Sequence, residues 1–410
     1  VQGGHLLREQ RRGETHRLFE NTGRGHFRDA SAGSGAALDG YGMGAAAGDV
    51  DGDGDTDLHV THVGPNALLV NQGGLKFAQR SEGVAHPGWG TSSGFFDADR
   101  DGDLDLFVAN YLDWSFEGEL PCLNSLSQRD YCSPKNYRTP AKDVFYVNDS
   151  AGAFVDESEA SGIASKRGTG LGVAFGDLDA NGWLDVFVAN DGMANHLWKN
   201  QGGRKFLEAG LAAGCGVDAS GQEKAGMGVV LADLDRDLDL DLVVCNLAGE
   251  SDSLYRNEQG LFSDRTAVAG LGPVSKPFTR FGVGVFDFDH DGELDLFEAT
   301  GRVQAASEPP TADVYAEENL LFHGVAGRFT EVTPRGGVAS ALVRAARGAL
   351  FGDLDGDGGV DVLVVNRDAP VHLLRNVVAA KGQWLGLRVL ERGGGAALGA
   401  TVFVDLVRGR

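Results

Sequence analysis

Long apolar runs are missing from this chain. No stretch approaches the ~18 residues that a bilayer-spanning helix needs, so the sequence is read without a membrane span. Basic residues are scarce too: Lys and Arg number 36 against 59 Asp and Glu, a net charge of −23. That balance excludes the basic surface which nucleic acid or an anionic membrane demands. The opening VQGGHLLREQRRGE has neither an initiator Met nor an apolar leader core. The expectation is that a secretory signal was removed or that the sequence starts partway along a longer protein.

Cysteine is sparse as well. Four residues are too few for a disulfide scaffold, and their spacing is not that of a zinc ribbon. Cys122 and Cys132 share a polar, Pro-containing segment, PCLNSLSQRDYCSPKNY, and read as a loop disulfide, with two free thiols as the alternative. A disulfide there implies an oxidising compartment, extracellular or periplasmic. Cys215 and Cys245 are isolated, and whether they pair is left open.

Glycine, by contrast, is abundant at 62 residues with no Gly-X-Y period, which signals many tight turns. Aspartate is concentrated. GDVDGDGDTDLHV (48–60) places acids at every second position before turning apolar. Like charges that close repel one another, so the segment stays solvated or encloses a cation. The pattern recurs as DADRDGDLD (97–105), DLDANGWLD (177–185), DLDRDLDLD (233–241), DFDHDGELD (287–295) and DLDGDGGVD (353–361). Between these loops stand LFEN, LLVN, FYVN, LWKN, LYRN, LFHG and LLRN, ending at 21, 71, 148, 200, 257, 324 and 376.

Small-residue runs precede each acidic loop, and alternating apolar runs such as LDVFVAN follow it. Each unit therefore reads as strand A, acidic loop, strand B, strand C, a turn and strand D. Four short strands repeated every ~50–60 residues are the pattern of an all-β β-propeller. Residues 17–30 look like a C–D hairpin without its acidic loop, which predicts seven blades with the first incomplete; six blades are the alternative. The propeller is expected over 1–376, with 1–30 the partial first blade, and a small C-terminal β domain is expected to start in 377–410.

Carboxylates at loop positions 1, 3, 5 and 9, with Gly at 6, make an oxygen cage suited to Ca²⁺, up to six ions in this chain. The expected ligands are Asp49, Asp51, Asp53 and Asp57; Asp97, Asp99, Asp101 and Asp105; and Asp177, Asp179, Asn181 and Asp185. The other loops offer Asp233, Asp235, Asp237 and Asp241; Asp287, Asp289, Asp291 and Asp295; and Asp353, Asp355, Asp357 and Asp361. Six Ca²⁺ would bring −23 to −11. The loop at 233–241 ranks as the weakest, because Leu238 stands where Gly is expected and resists a positive φ. An EF-hand is excluded: position 12 is Val60, Val108, Val188, Val244 or Val364, all in strands, with Glu298 the one exception.

From the first Asp of a loop to the end of strand C is 22 to 24 residues in four units, but 51 and 37 in two others. The extra residues, 111–143 and 301–318, would crown the face opposite the metal loops, where binding tends to sit. Trp114, Tyr131 and Tyr137 in the first insertion are candidates to bind a partner. A spacer pinned by the disulfide is the alternative. No catalytic residues are singled out. GTSSG (90–94) matches a nucleophile motif but opens a strand with no helix after it. An enzyme with its pocket on the insertion-bearing face is the alternative function.

Taken together, the acidic loops resemble FG-GAP (VCBS-type) repeats, as in integrin α propellers. The ordered set YCSPKNY, LFEATGRV, RGALFGDLDGDGGVDVLVVN and LLRN…QWLGLRVLERGGGAALGATVFV is similar to the secreted cartilage-acidic-protein-like family ending in an ASPIC/UnbV domain. GGGAA stands where that domain usually has Asn-Arg before its glycine-alanine pair. The resemblance implies an extracellular or periplasmic calcium-binding propeller used for adhesion or for protein or glycan interaction, with no established catalysis.

Overall fold

The computed structural model of the chain describes residues 15–124, 127–149, 152–379, 382–390 and 402. Nearly all regular structure is antiparallel β-sheet, in sheets whose spatial order follows chain order. Blade 1 comprises strands A to D at Gly42–Gly48, Asp57–His62, Gly64–Asn71 and Phe77–Gln79. Blade 2 has Gly90–Phe96, Asp105–Asn110, Val144–Asn148 and Phe154–Asp156. Blade 3 has Gly170–Gly176, Asp185–Asn190, His196–Asn200 and Phe206–Glu208. Blade 4 has Val229–Ala232, Asp241–Val244, Ser253–Glu258 and Leu261–Asp264. Blade 5 has Arg280–Phe286, Asp295–Thr300, Leu320–Val325 and Arg328–Glu331; blade 6 has Ala346–Gly352, Asp361–Asn366 and His372–Leu374.

The arrangement is a β-propeller of six blades, where the sequence predicts seven. Residues read as the outer half of a first blade do pair, Phe19–Gly23 with His26–Asp29. No described residue supplies inner strands to that hairpin, so it stands as a two-stranded sheet. Most of the expected C-terminal domain (391–401 and 403–410), like residues 1–14, lies outside the described residues. Among the described residues no helix is long and apolar enough to cross a membrane.

Strand B explains why the units stack. In DVFVAN (185–190) every residue is buried, because β-branched and aromatic side chains point alternately to both faces and each face meets another blade. The core is correspondingly inter-blade: Phe96 of blade 2 stacks on Phe175 of blade 3 with centroids 4.8 Å apart, and Trp198 is buried among both. Strand-C asparagines stitch neighbours together. Asn148, Asn200 and Asn257 donate through Nδ2 to the carbonyls of Val50, Ala98 and Leu178 in the preceding blade, at 2.8 to 2.9 Å. Each acceptor is position 2 of an acidic loop, so the stitching also holds the loops in place.

Candidate metal centres and the opposite face

Each acidic loop is tied by its own carboxylates. In blade 1 the Asp49 carboxylate accepts the N–H of Asp53 (3.2 Å) and of Gly54 (2.9 Å), and Asp53 accepts from Asp55 (2.9 Å). Position 9 reaches further: buried Asp57 accepts from Val50 N at 2.9 Å and from Asn71 N in strand C at 2.7 Å. The same two bonds recur at Asp105, Asp185, Asp241, Asp295 and Asp361. Burial pushes the pKa of Asp105 and Asp185 up to about 7 and that of Asp241 and Asp295 to about 6, against the pull of those N–H donors. The position-9 acid is thus a loop-to-sheet tether as well as a candidate ligand.

Carboxylates of several loops converge, in sets that overlap the expected ligands only in part. Asp49, Asp51 and Asp53 each bring an oxygen within 4.8 Å of the others, as do Asp97, Asp99 and Asp101, and Asp177, Asp179 and Asp185. In blade 5 the group is Asp289, Asp291 and His323. The donor set consists of hard oxygens on short loops, which fits a divalent cation of the Ca²⁺ class. Position 3 makes the strongest case for fit. Oδ1 of Asp51 and Oδ1 of Asp179 are buried and have no hydrogen-bond partner among the described residues. A buried acceptor left without a donor is costly, and a metal ion would satisfy it.

Local basic residues divide the six loops. The residue before the strand-C Asn or Gly is Lys199, Arg256, His323 or Arg375 in blades 3 to 6, but Val70 and Val147 in blades 1 and 2. Lys199 lies 3.3 Å from Asp179, His323 lies 3.1 Å from Asp291, and Arg375 pairs with Asp355. Blade 2 draws on its neighbour, since Arg204 pairs with Asp99 and lies 3.5 Å from Asp101. Blade 4 is the extreme case. There Arg256 Nη1 bonds Asp235 (2.8 Å) and buried Asp241 (2.9 Å), so a guanidinium stands among the acids. Leu238 does take the positive φ, +76°, that glycine takes elsewhere, and its N–H still bonds Asp233 at 3.1 Å.

The opposite face carries both insertions. Cys122 and Cys132 form a disulfide, while Cys215 and Cys245 are free and buried. Trp114 Nε1 and the Tyr137 hydroxyl both donate to Glu119, at 2.8 and 3.0 Å. Trp114 also packs edge-on to Trp89 and Phe116. Tyr131 is exposed and meets Tyr315 of the second insertion, with centroids 5.7 Å apart. Asn148-Asp149-Ser150 matches a glycosylation sequon, but Asn148 is buried and its Nδ2 already serves two carbonyls in the folded chain.

A family model for the FG-GAP-like repeat matches residues 11–60, 49–108, 177–244 and 233–298, together more than half of the chain. The chain belongs to the FG-GAP-like repeat family. It is also similar to cartilage acidic protein 1 of Mus musculus, 30% identical over 253 residues, which are 61% of this chain and 37% of that protein. The Homo sapiens protein is 29% identical over 253 residues, 61% of this chain and 36% of its own length. The match thus spans little more than a third of these curated relatives. Among solved structures, that described as YCF48 bound to D1 peptide superposes with a TM-score of 0.50 at 9% identity, over 90% of this chain and 88% of that one. That likeness concerns the propeller fold alone.

Two features of this FG-GAP-like chain lay outside the reading of its sequence. One is the set of basic residues beside the loops; its signal, the Lys, Arg or His in LWKN, LYRN, LFHG and LLRN, is plain once strand C is known to lie beside the loop. The other is the tether at position 9, which loop spacing alone does not separate from a simple ligand.

Proposed function

We propose that this chain is a secreted, calcium-stabilised propeller, serving as an adhesion or interaction module for a protein or glycan and not as an enzyme. The observation that carries the metal assignment is the buried, donorless Oδ1 of Asp51 and of Asp179 inside clustered carboxylates. Ca²⁺ would be held by positions 1, 3, 5 and 9 and would neutralise loops of high charge density. The disulfide supports an oxidising compartment. The insertion-bearing face, with exposed Tyr131 and Phe116, is the surface we assign to the partner. The decisive experiment is calorimetric Ca²⁺ titration beside thermal melts with and without chelator. Absence of bound Ca²⁺ together with an unchanged melting temperature would refute the assignment. A glycan and protein array with the Ca²⁺-loaded chain then tests the face.

We also infer that the complete ring has seven positions. This reading is supported by Asn21 Nδ2, which donates to Leu354 O at 2.8 Å, the same contact that Asn376 makes with Phe288. A Cβ at Gly282 would lie 2.4 Å from Ala349 in the next strand A, whereas one at Gly348 has no described atom within 4 Å. Leu350, on the same strand, is 63% exposed. If inner strands beside the hairpin are present in a chain extended at its N-terminus, they should protect the Leu350 and Met43 amides, read by hydrogen exchange. Unchanged exchange in the extended chain would leave six blades as the answer. An ASPIC/UnbV domain beyond residue 377 is part of the same reading, to be tested by limited proteolysis of a longer chain.

A further inference from the structure

Four departures from the repeat meet at one point between blades 4 and 5. Glu298 replaces the Val that the other five blades place fourth in strand B, and Cys245 stands where blades 2, 3 and 5 have Ala109, Ala189 and Ala299. Arg280 begins strand A where blades 1 to 3 begin with glycine. Asp252 keeps the repeat's acid-or-amide type but not its bond. Its equivalents Asp143 and Asn195 accept the N–H of the strand-B asparagine, each at 3.0 Å, whereas Asp252 accepts Arg280 Nε at 2.8 Å.

All four side chains are fully buried. Cys245 Sγ lies 3.6 Å from Glu298 Oε1, and Cys245, Asp252 and Glu298 each bring one ligand atom within 4.8 Å of the others. Glu298 Oε2 and Asp252 Oδ2 meet no N–H or hydroxyl donor among the described residues, so a proton shared between the two carboxyl groups or a metal ion is what would satisfy them. A sulfur and an oxygen held by one tetrahedral zinc, with bonds of about 2.3 and 2.1 Å, stand roughly 3.6 Å apart. The S–H···O hydrogen bond that Cys245 donates to Glu298 already holds the two atoms at that separation.

We propose that Cys245, Asp252 and Glu298 form a buried site for a thiophilic divalent cation of the zinc class, distinct in place and chemistry from the acidic loops. Thiolate selects zinc or cobalt over calcium, which the all-oxygen loops prefer. Charge supports it. With Cys245 and Glu298 ionised, the two carboxylates and the thiolate against Arg280 leave −2, which one divalent cation cancels. The ion would pin strand B of blade 5 to the B–C turn of blade 4.

The test equilibrates the whole chain with excess Ca²⁺ to occupy the loops, adds Co²⁺ as the probe, dialyses, and reads cobalt content and thiolate-to-cobalt absorption. One retained equivalent with that absorption is expected, and Cys215→Ala should keep both. Cys245→Ala and Glu298→Val install residues other blades use at these positions. The first should abolish the absorption, and the second should weaken cobalt retention roughly a hundred-fold or more, since loss of mere outer partners already costs ~10–100-fold. A wild-type chain without thiolate-to-cobalt absorption overturns the site, as does absorption that survives Cys245→Ala. Because Cys215→Ala leaves Cys245 as the free thiol, the readout stands even where another variant folds poorly.

Discussion

The Tyr315 hydroxyl donates to Asp130 Oδ1 at 2.9 Å, joining residues 185 apart in the chain. Asp130 Oδ2 also accepts the N–H of Ala305 at 2.8 Å, and Arg367 of the blade 6 turn reaches the Tyr131 hydroxyl at 3.2 Å. The long insertion of blade 2 therefore spans the ring to blade 5. The insertion-bearing face is a tied structure and not two independent loops.

Asp130→Ala should loosen that tie without unfolding the ring. We expect faster proteolysis within 111–143 and a global loss of no more than about 1–3 kcal/mol, the scale of a few lost hydrogen bonds. A loss as large as that of a core truncation, measured by denaturant melts, would contradict a purely local role. Trp198→Ala provides the scale: with Trp198 1% exposed, it should cost about 3–5 kcal/mol.

Calcium should stabilise the chain in proportion to the loops it fills. A site held at a hundred times its dissociation constant adds about 2.7 kcal/mol. Asp51→Ala and Asp179→Ala should each remove one high-affinity Ca²⁺ and lower the melting temperature in Ca²⁺ but hardly at all in chelator. Equal losses in both conditions would assign these residues to the fold instead.

Arg256 should behave in the opposite way. Arg256→Met leaves Asp241, 0% exposed, without its cation and should cost roughly 1–3 kcal/mol in chelator. Added Ca²⁺ should restore more of that loss than it adds to the wild type, because the 233–241 loop then becomes available. An unaltered Ca²⁺ stoichiometry would show that the guanidinium is not what distinguishes this loop.

The inter-blade stitches predict an asymmetry between two like residues. Asn200 Nδ2 serves both Ala98 O and Leu184 O, whereas Asn71 Nδ2 has, among the described residues, one carbonyl, Thr56 O, within its own blade. Asn200→Ala should cost about 1–3 kcal/mol by stranding buried carbonyls. Asn71→Ala should cost less, and the order of the two midpoints decides.

Acid should weaken the fold through His196. Burial lowers its pKa from the ordinary 6.5 to about 4, and its Nδ1 has no partner among the described residues. The unfolded chain therefore takes up the proton first. The neutral ring's contribution is complete above pH 6.5 and is lost as pH falls from there towards 4, by up to about 3 kcal/mol. His196→Gln should flatten the stability profile across that window. Buried His16 and His59 shift the same way, so the readout is the difference between variant and wild type.

Much of this was legible in the linear chain. Period-2 apolar runs, Asp spaced at 1, 3, 5 and 9 and the closing Asn of strand C all act over a few residues, so they name the strands, the loops and the repeat without a fold. Both excess segments and the paired cysteines were visible for the same reason. Blade number was not, because a ring is counted by which faces meet, and the hairpin at 19–29 meets blade 6 through residues such as Asn21 and Leu354 that are far apart in the chain.

The sequence by itself determined that this chain is a repetitive, acidic, all-β propeller, since local periodicity and charge density settle those points. Only the tertiary structure decided which cations stand beside which acids, that position 9 tethers loop to sheet, and that Cys245, Asp252, Arg280 and Glu298 share one buried point. Those facts depend on packing between blades, which brings together residues tens of positions apart and leaves no local mark in the order of amino acids.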